Sequence, residues 1–296
     1  MDFISSLFPF SLLLAGDHIA TVLLGSAVIG AMLGAVGAIA LMRREALLGD
    51  ALAHCTLIGV VVAFLVTGQR DFLILFFGAL VSATVGLLVI KLFLRVPVVK
   101  PDAALAVVLA GFFGLGLIGL RIVQVSDLSQ KAGLESFIFG KASLMTTTDV
   151  AWAIVVGITA AIILWINRRS FAALCFDSIG LVGFQRKIAG GKWLSALLLL
   201  AAVAVALPAT GVILTCSLLV IPASVARFTT HSFPAYVMVA ALCGALSGYI
   251  GATVSVFHAQ VSTGAAITLT AMFALVLTLL GRGLSRALSR RGVTPQ

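Results

Sequence analysis

The 296 residues are 61% hydrophobic and only 10% charged, with a formal net charge of +9. A soluble domain carries roughly 25% charged residues, so a water-solvated globule is excluded. The basic excess would suggest nucleic acid in a soluble chain, but in a membrane chain topology accounts for it.

Apolar runs near the roughly 20 residues that cross a hydrocarbon layer recur along the whole chain. They lack the alternation of apolar and polar residues in segments of about ten that a β-barrel requires, so the fold class is all-α, a polytopic transmembrane helix bundle. In chain order the spans are expected near Ile19–Met42, Gly49–Gly68, Phe72–Leu94, Ala103–Leu120, Val150–Ile166, Trp193–Leu207, Gly211–Ala226, Pro234–Phe257 and Thr263–Leu280. The first run has neither a basic n-region nor a small-residue cleavage site and reads as a span, not a removable signal peptide. Leu207-Pro208-Ala209-Thr210-Gly211 is either a turn between two short spans or a break in one longer excursion, so eight or nine spans are expected. Residues 1–296 read as a single transmembrane domain without internal repeats.

With the N-terminus outside, 15 of the 19 Lys and Arg fall on the inner side. The positive-inside rule therefore supports this orientation, with a cytoplasmic C-terminus. Gly30-x-x-x-Gly34 and Gly244-x-x-x-Gly248 are small-residue pairs that let helix backbones approach, within the chain or across a dimer.

Two polar stretches exceed simple turns. The outer one, Gln124–Asp149, contains Gly133–Gly140 and suggests a short interfacial helix or gate. The inner one, Asn167–Lys192, mixes Phe171, Leu174, Phe176 and Phe184 with Asp177, Arg186 and Lys187, as in an amphipathic cytoplasmic helix.

Nine of the ten acidic residues fall in loops or at span edges. Asp50 starts an apolar helix, and His54 follows one turn later on the same face. Ionisable groups inside a bilayer are functional by default, and carboxylate plus imidazole are ordinary ligands of divalent transition metals. Two such pairs about a two-fold axis would supply four ligands. Two plainer readings stand beside this: Asp50 as an N-cap, and His54 as a buried side chain bonded to a carbonyl. Cys55, Cys175, Cys216 and Cys243 show no metal or disulfide spacing and read as small buried residues. No G-x-x-x-x-G-K-[ST] loop occurs, so ATP-driven work requires another chain.

At Leu47-Leu48-Gly49-Asp50-Ala51-Leu52-Ala53-His54 the sequence resembles the permease subunits of bacterial ABC importers for zinc, manganese and iron. The similarity continues in Phe137–Gly140, Phe176-Asp177, Gly211–Leu214, Leu218–Ala223 and Ser262–Ala265. The resemblance implies the vitamin-B12-importer type of permease fold in the bacterial inner membrane. It also implies a second permease copy or paralogue, cytoplasmic ATPase subunits and an extracytoplasmic metal-binding protein, with no nucleic-acid partner. It assigns Asp50 and His54 to the metal path and Leu174, Phe176 and Asp177 to ATPase coupling. The transported ion would be Mn²⁺, Zn²⁺ or Fe²⁺, with no permanently bound cofactor. The Phe139–Ser143 texture leans toward the manganese/iron branch. The rivals are a secondary transporter using Asp50 and His54 as a proton relay, and an ABC permease for a metal chelate.

Overall fold

The computed structural model describes residues 18–69, 71–125, 145–176, 185–258 and 261–291, with the backbone alone at Phe72, Phe176, 185–189 and 284–291. They form ten helices: α1 His18–Met42, α2 Ala46–Thr67, α3 Phe72–Phe93, α4 Pro101–Val125, α5 Thr147–Ile166, α6 Arg168–Phe176, α7 Gln185–Thr210, α8 Val212–Thr229, α9 Phe233–Phe257 and α10 Thr263–Arg291. All but α6 are long and apolar enough to cross a membrane, nine among the described residues. No strand occurs among them.

Local chemistry sets the ends. Asp71 caps α3 by accepting from the Leu73 N–H, and Thr146 with Asp149 forms a reciprocal capping box on α5. Each satisfies N–H groups that the helix leaves without internal partners. α4 starts at Pro101, whose fixed φ and missing N–H suit the first turn. α7 begins at Gln185, earlier than the expected Trp193, because its first turns extend the helix beyond the apolar run.

Basic side chains gather at one end of the bundle. Lys91 Nζ stands 3.0 Å over the Trp193 ring, and Arg168 lies 4.6 Å over Trp165. Arg43, only 9% exposed, pairs with Glu45 at 2.7 Å and donates to the Ser195 hydroxyl. It is the end that the positive-inside rule predicts to be cytoplasmic. On α6, burial pushes the Cys175 thiol up to about 11, so it stays protonated and serves packing.

The core is built on α1 and α9, whose glycines meet backbone to backbone. Gly30 faces Gly244, Gly34 faces Ala240, and Gly248 faces Ser26, an antiparallel register. The two small-residue motifs are thus a contact within the chain. α2 and α3 pair antiparallel in the same way through Gly59 and Gly78, and the Ser82 hydroxyl donates to the Cys55 carbonyl across them.

The Pro208–Gly211 break is a reversal. Leu199 on α7 and Leu219 on α8, each about ten residues from the turn, both flank Gly49. At 1.5 Å per residue the apex stands only about 15 Å above Gly49, short of the roughly 30 Å hydrocarbon thickness. The turn residues Ala209, Thr210 and Gly211 are buried, which is the condition for irregular backbone at membrane depth. Gly211 supplies the turn with φ 79°. The Thr210 and Thr215 hydroxyls donate back to the Ala206 and Gly211 carbonyls on either side of the break, with their oxygens 3.1 Å apart.

Candidate metal site

α2 begins three residues before the expected Gly49. Arg44 adopts a left-handed backbone (φ 59°) that turns the chain from α1, and Glu45 occupies the N-cap without a side-chain hydrogen bond. Asp50 is therefore the fifth residue of the helix, about 6 Å along its axis, and His54 is about 12 Å along. An interior carboxylate cannot cap a helix whose free N–H groups lie a turn earlier. The capping reading of Asp50 is excluded by this geometry.

His54 Nε2 lies 3.5 Å from Asp50 Oδ1. Its Nδ1 is buried and has no hydrogen-bond partner, which also removes the carbonyl-bonded reading. The ring packs edge-on against Phe113 of α4, with centroids 4.7 Å apart at 76°. That contact fixes the imidazole plane. The Asp50 and His54 side chains keep 37% and 20% of their surface uncovered, so the pair opens at the side of the chain.

The structure adds Cys216, from the first turns of α8. The potential ligand atoms of Asp50, His54 and Cys216 all lie within 4.8 Å of one another, and no other such group occurs among the described residues. The reversal at Pro208–Gly211 creates this meeting, because it returns the chain to the level of Asp50. No local spacing in the sequence could reveal it; the signal was the Pro and Gly break just upstream. His18 and His231 join no such group, and His258 Nδ1 lies 3.3 Å from the Val254 carbonyl.

The expected coupling residues are placed as follows. Leu174 is half-buried on α6 and rests against Gly191 of α7, next to the fully buried Phe171. Arg168, Arg169 and Ser170 form the exposed part of this helix. The Phe176 side chain and Asp177 lie outside the described residues, as does the outer segment 126–144.

Residues 16–282 match the ABC 3 transport family. The chain is 36% identical over 275 residues to the zinc transport system membrane protein TroC of Treponema pallidum, covering 91% of this chain and 92% of that protein. It is 32% identical over 261 residues to the manganese transport system membrane protein MntC of Bacillus subtilis, covering 88% of this chain and 60% of that protein's length. Among solved structures, PsaBC from Streptococcus pneumoniae in complex with Fab superposes with a TM-score of 0.79 at 24% identity, covering 90% of this chain and 92% of that one. At that identity the likeness is one of fold.

Proposed function

The chain belongs to the ABC 3 transport family, and on that footing we propose that it is the membrane-spanning permease of an ATP-driven importer for divalent transition-metal ions. Manganese and zinc are the first candidates, since relatives are named for each, with iron third. It is a multi-pass protein of the bacterial inner membrane, and residues 1–296 act as one permease domain. The observation that carries the reading is the pairing of Asp50 with His54, a carboxylate and an imidazole inside a helix with no other acidic, basic or histidine side chain.

The same pair argues for a second permease copy or paralogue. A carboxylate inside a membrane helix is costly where it faces lipid, yet over a third of the Asp50 side chain is uncovered here. Protein from a partner copy, or a water-lined path between copies, removes that cost. Cytoplasmic ATPase subunits supply the energy and an extracytoplasmic protein delivers the metal.

ATP dependence separates this reading from a proton-coupled transporter. Uptake of radioactive Mn²⁺ or Zn²⁺ into vesicles holding the permease and its ATPase should require ATP and survive an uncoupler. Uptake that follows the proton gradient without ATP would overturn it. A permease for a metal chelate would instead take up the complexed metal and ignore the free ion.

α6, with Leu174 and Phe176, together with the Asp177 that follows it in sequence, is the proposed ATPase-coupling segment. Leu174 seats it on α7, so Leu174→Asp should loosen that seat without touching the metal pair. Metal-stimulated ATP hydrolysis should fall several-fold at matched complex levels. Unchanged stimulation would remove α6 from coupling.

A further inference from the structure

Resting on the metal-path reading of Asp50 and His54, we propose that Cys216 is a third ligand on that path and that its sulfur biases this permease toward zinc over manganese.

The geometry comes first. Zinc holds sulfur at about 2.3 Å and imidazole nitrogen or carboxylate oxygen at about 2.0–2.2 Å, so tetrahedral ligand atoms stand about 3.3–3.8 Å apart. The Asp50 and His54 atoms already stand at 3.5 Å. All three candidate atoms fall within 4.8 Å, so closing on an ion requires a movement on the order of 1 Å, within reach of side-chain torsions.

Cys216 is also placed unlike a packing residue. Cys216 is half-buried, and its thiol lies against the Asp50 carboxylate. The helix is aimed there by the Gly211 turn, and Leu219, one turn further on, packs on Gly49 beside Asp50.

The chemistry follows from the donor set. One sulfur, one nitrogen and one oxygen leave the fourth tetrahedral position open, the arrangement of zinc sites that exchange a ligand. Open coordination suits an ion that must leave again. Thiolate is a soft ligand that selects zinc, whereas manganese prefers carboxylate, carbonyl and water. On binding, the Cys216 S–H proton passes to water as the metal–sulfur bond forms.

The test uses the full chain in lipid nanodiscs, as wild type, Cys216→Ser and Cys216→Ala, with Co²⁺ as a spectroscopic stand-in for zinc and with Zn²⁺ and Mn²⁺ in competition. Wild type should show a thiolate-to-cobalt charge-transfer band that zinc abolishes. Both variants keep Cys55, Cys175 and Cys243, so loss of the band in both assigns it to Cys216. Zinc affinity should fall about tenfold or more in each variant, and manganese affinity should fall less. An unchanged band, or an unchanged zinc-to-manganese ratio, would overturn the assignment of Cys216 and leave the Asp50–His54 pair standing. If wild type binds none of the three ions, the metal-path reading fails and this inference fails with it.

Discussion

Asp50→Asn and His54→Leu should each reduce ATP-dependent Mn²⁺ or Zn²⁺ uptake to below about a tenth of wild type, at matched protein levels and with the ATPase still bound. Even residues that only support metal ligands cost 10–100-fold when changed, so loss of a ligand should cost at least that. The structure says why neither change should harm the fold. Asp50 lies inside α2 and caps nothing, so its replacement by an isosteric amide removes no helix-end hydrogen bond. His54 contributes an apolar edge contact with Phe113, which leucine can largely replace, and it carries a buried nitrogen without a partner. Removing that unsatisfied atom relieves a desolvation cost. Thermal stability should therefore change little for Asp50→Asn, and for His54→Leu, which also removes the contact with Asp50, far less than transport, a divergence that a structural role could not produce. Wild-type uptake by Asp50→Asn would sink the metal-path role of that carboxylate.

What the sequence made legible is what depends on local chemistry. Each of the nine expected spans lies within or closely overlaps a helix, because about twenty apolar residues between charged punctuation leave few alternatives in a bilayer. Asp50 and His54 share a face because one helical turn separates them. The start of α2 was hidden, since an arginine at φ 59° is rare and nothing in Arg43-Arg44-Glu45 announces it. The direction of the chain after Pro208 was hidden as well. A proline and a glycine permit a kink or a reversal, and only the packing of Leu199 and Leu219 on either side of Gly49 decides between them. Cys216 belonged to that hidden part, because its neighbours in space come from a helix far back in the chain. The amphipathic character of 168–176 was readable, but a nine-residue helix does not tell which side faces the bundle; Leu174 turned out to rest on Gly191.

Replacing Gly244 by leucine should be among the most damaging single changes to the fold. A Cβ at Gly244 would meet the Gly30 carbonyl, with its carbon at 2.8 Å, and a Cβ at Gly30 would meet the Gly244 carbonyl in the same way. Ordinary contacts begin near 3.5 Å. The obstacle is backbone and has no rotamer to escape into, so α1 and α9 must separate by on the order of 1 Å. That gap would run on to the equally close approaches of Gly34 with Ala240 and Gly248 with Ser26. In lipid this loss is severe, because helix association rests on van der Waals packing with no hydrophobic drive to offset it. Overpacking of this kind costs roughly 3 kcal/mol, which for a chain of this size lowers the unfolding midpoint by roughly 5–10 °C. Gly281→Leu is the matched control: it adds the same side chain to an apolar helix at a position with nothing within 4 Å. Thermal unfolding of the detergent-solubilised proteins, followed by fluorescence and size-exclusion profile, should separate the two. If Gly244→Leu unfolds with the same midpoint as Gly281→Leu, the α1–α9 glycine contact does not hold this bundle together.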